Sequence, residues 1–296
     1  MSTDDRDPQL PLRGRAALVT GVSRRRGIGF AIASRLAELG ADLFIHHFAP
    51  HDATKPWGED NLDELRQELR AAQIPGARFA DISADLQDPD APKVVLDGAV
   101  AAFGRLHVLV CNHAGSGGDG SIFDMTPQLL DRHWNVNTRS TLLLTRYFAE
   151  QFSGIQAPEA ATAPGVRQNT AGPFDEHETG RVIWMTSGQL LGPMPGEVAY
   201  AASKAALAGV TTTVASELLT RGIILNTVNP GPVNTGYLDP ESTDRPLDEL
   251  LESLKRTPFG RFGQPSDPAR LIGWLVSDEG RWVVGQVISS EGGFRL

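Results

Sequence analysis

Apolar, strand-length runs alternate with helically spaced stretches along most of the chain, and that alternation limits the possible folds more than any other feature. Ala16–Thr20 reads as a short buried strand. Gly29–Leu39 follows with Ile32, Leu36 and Leu39 at helical spacing and stops at Gly40, a good helix terminator. Leu43–His46 is expected as a second strand, and Asn61–Ala72 as a helix with Leu62, Leu65 and Leu69 on one face. The same logic predicts a strand at Arg78–Ile82, a helix at Ala91–Phe103, a strand at His107–Cys111 and a long helix at Leu129–Phe152. Strands at Arg181–Thr186 and Ile223–Val228 flank a helix at Val198–Thr220. A last helix at Pro268–Ser277 leads to a short strand at Val287–Ser289.

Such repetition implies an α/β fold of the Rossmann type: a doubly wound parallel sheet of about seven strands with helices on both faces. The 296 residues suffice for one such domain. Residues 1–12 are expected to form a flexible tail and residues 13–296 a single domain. Ser153–Gly180 is rich in Ala, Pro, Gly and Thr with little periodicity, and reads as a surface insert. It joins a helix to the next strand. Ligands in these sheets bind at the opposite, C-terminal ends of the strands, so the insert is expected away from the chemistry.

A net charge of −9 argues against general nucleic-acid binding, which depends on neutralising phosphates. The single cysteine, Cys111, excludes an internal disulfide and fits a reducing, cytoplasmic setting. No apolar run approaches the ~20 residues that span a membrane. His46, His47 and His51 lie close together, but no Cys or carboxylate joins them at ligand spacing, so no metal site is expected. A buried, inert thiol is expected at Cys111.

Thr20-Gly21-Val22-Ser23-Arg24-Arg25-Arg26-Gly27-Ile28-Gly29 comes straight after the first strand and opens the first helix. In that position glycines let the backbone turn tightly and let a pyrophosphate approach the helix N-terminus, whose free N–H groups attract anions. An acidic residue ending the second strand would hydrogen-bond the adenosine ribose of NAD. His46 and His47 stand there instead. With Arg24 or its neighbours near that ribose, NADP(H) is favoured over NAD(H).

Tyr200 and Lys204 fall on one face of the predicted helix Val198–Thr220. A nearby ammonium favours the tyrosinate, which suits a general acid/base acting on an alcohol or carbonyl oxygen. Ser187 ends the fifth strand, where its hydroxyl faces the ligand crevice. Asn137 lies inside the helix after the fourth strand, where a buried amide needs partners, an ordered water among the candidates.

Together these segments resemble the single-domain short-chain dehydrogenase/reductase family, in its 3-oxoacyl-[acyl-carrier-protein] reductase-like branch. The matching pieces are the glycine turn, Asp85-Leu86, the Asn137 segment, Ser187, Tyr200-x-x-x-Lys204, Asn229-Pro-Gly-Pro-Val-Asn-Thr235 and Glu291-Gly-Gly293. They appear in the family's order from about Leu12 to Phe294. The resemblance implies a catalytic tetrad. Tyr200 passes the proton, Lys204 holds the nicotinamide ribose, Ser187 orients the carbonyl, and Asn137 holds a water in a proton relay. It implies cofactor contacts from Gly21, Ser23, Arg24, Gly27, Ile28 and Gly29, from His47, from Asp85 and Leu86, and from Asn112 and Ala114. Further contacts come from Tyr200, Lys204, Pro230, Gly231, Val233 and Thr235. The substrate is a small carbonyl or alcohol, and the assembly a homodimer or homotetramer.

Three features depart from the family pattern. Five residues separate Gly21 from Gly27, where three are usual. The family's Asn-Asn-Ala-Gly reads Cys111-Asn112-His113-Ala114-Gly115. The insert is extra. Gln189, Leu191, Met194 and Tyr237 flank the catalytic and Pro-Gly segments as candidate substrate contacts, and Leu238–Phe262 is placed to serve as a lid. A non-catalytic dinucleotide-binding regulator is the alternative function, although it has no use for a proton relay. An enoyl-type reductase would space its Tyr and Lys further apart.

Overall fold

The structure, a computed structural model, describes residues 7, 9–152, 178–241, 243, 251, 252 and 254–294. Its elements run β1 (Ala16–Thr20), α1 (Ile28–Glu38), β2 (Asp42–His47), α2 (Ala49–Ala53), α3 (Leu62–Ala72), β3 (Phe79–Ser83), α4 (Ala91–Phe103) and β4 (Val108–Cys111). They continue through α5 (Pro127–His133), α6 (Ser140–Gln151), β5 (Gly180–Met185), α7 (Val198–Leu219), β6 (Ile223–Asn229), α8 (Ser266–Val276) and β7 (Val287–Ser289). The strands form one seven-stranded sheet in the order β3-β2-β1-β4-β5-β6-β7. Every strand pairing is parallel.

Both faces of the sheet are covered, which explains why its central strands read as unbroken apolar runs. Alternate residues of β1 serve opposite layers. Ala17 and Val19 pack with Ile32 and Leu36 of α1, Leu65 and Leu69 of α3, and Ile272 and Leu275 of α8. Ala16 and Leu18 pack with Val95 and Ala99 of α4, Leu144 and Phe148 of α6, and Leu207 and Ala215 of α7. Burying each Leu or Phe side chain in these layers contributes roughly 1.5–3 kcal/mol. The chain leaves β1 toward β2 on one side and returns to β4 on the other. The C-terminal ends of β1 and β4 therefore bound the crevice in which such sheets bind ligands.

Some boundaries differ from expectation. The tail stops short of residue 12: Leu12 is fully buried, and its N–H donates to the Leu39 carbonyl at 2.9 Å. Packing against the end of α1 draws it into the core. The insert also ends earlier than residue 180, because Thr179 is buried and Gly180 opens β5. Residues 153–177 lie outside the described residues, as do residues 242, 244–250 and 253 of the expected lid at 238–262. The long helix starts at Pro127, with Thr126 Oγ1 accepting from Leu129 N at 3.2 Å, and a π turn at Trp134–Arg139 interrupts it. The short helix α2 was not foreseen; its Pro50 in the first turn is typical of a helix start. Among the described residues, no helix is long and apolar enough to cross a membrane.

Candidate active site

The glycine turn closes over the end of β1 because two positions tolerate no side chain. Gly21 has φ +72°, and a Cβ there would lie 2.7 Å from His113 Cα. A Cβ on Gly29 would collide with the Gly21 carbonyl oxygen and the Asn112 amide. Asn112 holds this close approach: its Nδ2 donates to the carbonyls of Thr20 and Gly21, each at 3.1 Å. The two extra residues of the turn are taken up by a bend, with Gly27 N donating to Arg24 O at 2.9 Å. The first turn of α1 has no side-chain cap and no acidic residue, so its positive end faces the glycine turn. This cradle suits a pyrophosphate.

The three arginines go different ways. Arg25 pairs with Glu64 at 2.6 Å and Glu68 at 3.2 Å, and Arg26 with Asp239 at 2.7 Å. Arg24 reaches across to the Thr235 carbonyl and lies over the Trp57 ring, 5.5 Å from its centroid. Burial lowers its guanidinium from the ordinary value, opposed by the carboxylates of Asp52 and Asp60. Trp57 in turn meets Tyr237 edge-on, with centroids 6.4 Å apart. His47 turns its ring to Asp81 at 2.9 Å, and Asp81 also pairs with Arg66 at 2.7 Å. The expected contact between His47 and the cofactor therefore cannot use that side of the ring. His46 instead supports the turn, receiving Gly21 N at Nδ1, 3.3 Å away. Asp85 and Leu86 follow β3, with Asp85 exposed and Leu86 buried.

Three elements bring the expected tetrad together. On α7, Lys204 lies one turn below Tyr200, with its Nζ 5.9 Å from the phenol ring centroid. Lys204 is fully buried. It donates to the Met185 carbonyl at the end of β5 at 3.0 Å, and burial brings its ammonium down to about 8. Thr186 Oγ1 donates to the Lys204 carbonyl at 3.0 Å, so α7 and the strand end that carries Ser187 are bonded in both directions. Ser187 is half-buried and extended just past that strand.

Asn137 sits in the π turn. Its Oδ1 accepts from Gly115 N at 2.7 Å, and its Nδ2 donates to Gly115 O at 3.2 Å and Ser203 Oγ at 2.9 Å. Ser203 Oγ passes a bond on to the Tyr200 carbonyl at 2.7 Å. Both N–H donors of the amide are thus taken by protein groups, and Oδ1 accepts one bond. The side chain braces the loop after β4 against α7. The wide turn has a local cause: Ser140 and Thr141 hydroxyls donate back to the carbonyls of Val136 and Asn137. π turns of this kind recur at functional sites.

Of the other expected contacts, Gln189 folds its amide onto Thr186 Oγ1 at 3.0 Å, and Met194 is half-buried beside the start of α7. Val233 is buried, and Gly231 N donates to Asn229 Oδ1 at 3.0 Å, which shapes the Pro-Gly bend after β6. Ser23, Ile28, Ala114, Pro230 and Thr235 are half-buried along the crevice.

Four residues escaped the sequence reading. His113 bridges Thr20 Oγ1 and Ser140 Oγ, each 2.7 Å from a ring nitrogen, and burial holds its pKa well below the usual histidine value. His133 is fully buried on α5, edge-on to Tyr200 at 6.2 Å, and burial lowers its pKa as well. Lys55 donates to the Ser116 carbonyl at 2.6 Å. Asp119 accepts from the backbone of Ala199 and Tyr200. No local pattern marks them, because each acts across a long sequence separation. The departure of His113 from the family's Asn-Asn-Ala-Gly was the one visible signal. Among the described residues, no cluster of three or more His, Cys, Asp or Glu residues could hold a metal ion.

Comparison with known proteins points one way. A family model described as Enoyl-(Acyl carrier protein) reductase matches residues 21–157 and 168–295. A Bacillus subtilis protein named uncharacterized oxidoreductase YjdA is 36% identical over 281 residues, covering 94% of this chain and 96% of the relative. An Arabidopsis thaliana NADPH-dependent aldehyde reductase-like protein is 37% identical, covering 97% of this chain and 96% of its own. The 3-oxoacyl-[acyl-carrier-protein] reductase FabG of Staphylococcus aureus is 32% identical, with 95% and 98% covered. Among solved structures, a short chain dehydrogenase from Burkholderia cenocepacia in complex with NADP superposes with a TM-score of 0.74 at 31% identity, covering 97% of this chain and all of the other.

Proposed function

The chain belongs to the short-chain dehydrogenase/reductase family, and from that premise we propose that it is an NADP(H)-preferring carbonyl reductase and alcohol dehydrogenase in which Tyr200 moves the proton. The observation that carries this reading is the fully buried Lys204 ammonium one helical turn below Tyr200, bonded to the Met185 carbonyl. Burying an ammonium with a carbonyl partner and no counter-charge beside it costs stability, and a buried ammonium next to a phenol supports a tyrosinate.

A nicotinamide dinucleotide, when bound, supplies or accepts the hydride. The glycine turn and the N-terminus of α1 would hold its pyrophosphate. Asp85, Leu86, Asn112 and Ala114 would line the adenosine side, and Pro230 to Thr235 the nicotinamide side. Ser187 hydrogen-bonds the substrate oxygen. Tyr200 donates its proton to that oxygen in reduction and takes it back in oxidation, while Lys204 favours the ionised phenol between turnovers. Asn137 keeps the loop after β4 in register with α7.

Preference for NADP(H) rests on Arg24, which would leave the Thr235 carbonyl to reach a 2′-phosphate on the adenosine ribose. Arg25 and Arg26 are engaged by carboxylates, whereas Arg24 donates to a carbonyl and makes no direct ion pair among the described residues. No acid ends β2 to receive a ribose hydroxyl. NADPH-dependent and NADP-bound relatives add support. The four-residue Tyr–Lys spacing favours carbonyl over enoyl reduction. Met194 and Tyr237 remain the proposed substrate contacts. Self-association through α5 and α7 is supported by Leu130 and Trp134, 42% and 46% exposed on that face. The lone, buried Cys111 fits a cytoplasmic location. A non-catalytic sensor would have little use for the buried lysine. The test is cofactor-absorbance kinetics with NADPH or NADH against a panel of ketones, aldehydes and 3-oxoacyl thioesters. Consumption of NADPH with a carbonyl substrate is expected; binding without turnover across the panel would favour the sensor.

A further inference from the structure

The catalytic helix begins where a helix is weakest. Val198, Ala199 and Tyr200 are its first three residues, and their N–H groups have no partner within the helix. A tyrosine in that first turn moves whenever the turn frays. Lys204, a turn deeper and bonded to β5, does not move with it.

All three N–H groups are taken by one short segment from the loop after β4. Asp119 Oδ1 accepts from Ala199 N at 3.1 Å, and Asp119 Oδ2 from Tyr200 N at 2.7 Å. The Gly120 carbonyl accepts from Val198 N at 3.2 Å. Asp119 Oδ1 also accepts from Gly120 N at 2.7 Å, which fixes the carboxylate against its own backbone. The loop is anchored in turn. Arg132 donates to the Gly117 carbonyl, and Lys55 donates to the Ser116 carbonyl at 2.6 Å. A carboxylate at this end also complements the positive end of a 22-residue helix.

We propose that Asp119 is the positioning residue for Tyr200, clamping the first turn of α7 so that the phenol is held over Lys204. The assignment rests on the reading of Tyr200 as the proton-transfer residue. The role of Asp119 is distinct from binding, since it contacts backbone rather than the cofactor cradle at Gly21 and Gly29. Displacing a reacting group by about 1 Å costs on the order of 100-fold in rate, and loosening a helix start is a smaller disturbance of the same kind.

The test compares Asp119→Ala, Asp119→Asn and Tyr200→Phe, each assayed for kcat per NADPH-binding site. Asp119→Ala is expected to lower kcat by about 10- to 100-fold while NADPH affinity stays within about twofold. Its solvent deuterium isotope effect on kcat should rise as proton transfer becomes limiting. Asp119→Asn keeps one acceptor oxygen and nearly the same shape, so its kcat should fall between those of wild type and Asp119→Ala. If Asp119→Ala does not fold, the Asn variant decides: a reduced kcat with unchanged NADPH affinity supports the clamp. Wild-type kcat in the Asn variant, or in both variants, overturns it. So does an equal loss of kcat and NADPH affinity, which would make Asp119 a general support of the cleft. If Tyr200→Phe itself turns over normally, the Tyr200 reading fails, and with it the reason for a clamp. If Tyr200→Phe is inactive and the Asp119 variants are normal, only the clamp fails.

Discussion

Lys204 and Met185 are joined by a buried hydrogen bond of 3.0 Å between the ammonium and the last carbonyl of β5. This contact draws the lysine into the sheet below Tyr200. It leaves desolvation as the main influence on the ammonium, which falls to about 8. A depressed lysine pKa means that the charge is complete below about 8 and is lost as pH rises through that value. Carbonyl reduction, which needs the ammonium and a protonated Tyr200, should therefore decline above about pH 8. A pH–rate profile of NADPH-dependent reduction checks this; a rate that holds steady to about pH 10 would contradict it. Lys204→Met should lower turnover by about 100-fold or more.

Arg24 predicts cofactor choice. Replacing it with alanine removes the guanidinium that lies between Thr235 and Trp57. NADPH affinity should drop by roughly 10-fold or more, the value of a charge-assisted hydrogen bond, while NADH affinity changes much less. Titration with both dinucleotides separates the two, and equal losses would mean that Arg24 does not read the 2′-phosphate.

Gly29 tests the cradle. A methyl group there meets the Gly21 carbonyl and the Asn112 amide. Gly29→Ala should cost about 1–3 kcal/mol of stability by overpacking and weaken both dinucleotides together. Thermal melting and cofactor titration measure the two effects, and unchanged binding would place the pyrophosphate elsewhere.

Two buried histidines predict acid sensitivity. Burial lowers His46 to about 4 and holds His113 well below its ordinary value, so both are neutral in the folded protein. The unfolded chain binds protons near pH 6.5 that the folded chain refuses. Stability present above about 6.5 is therefore lost as pH falls toward 4, with roughly 3 kcal/mol from His46 alone. Melting curves between about pH 7.5 and about pH 4.5 should show a falling Tm; a flat Tm would contradict the burial argument.

The sheet was legible because its strands are buried on both faces and its helices carry regular apolar spacing. Ala16–Thr20 and Val287–Ser289 appear with the bounds expected from sequence. The glycine turn and the Tyr200–Lys204 pair were readable because their own residues lie close together in sequence, although Asn112 and Met185, which hold them, do not. Long-range contacts were not. Asp119 caps a helix 80 residues away, and His113 joins β1 to α6 through side-chain bonds that leave no local signature. His47 looked open at the end of β2, but Asp81 on the neighbouring strand takes its Nε2. Leu12 read as tail because what buries it is the end of α1, which adjacent sequence cannot reveal.

The most direct test of the account is Tyr200→Phe, assayed for single-turnover reduction of a carbonyl substrate alongside NADPH titration. The phenol oxygen is lost while the ring stays beside His133. Turnover should fall by about 100-fold or more, with NADPH affinity within about twofold of wild type. Turnover near the wild-type rate with NADPH still bound would show that another group moves the proton, and the mechanism proposed for this chain would be wrong.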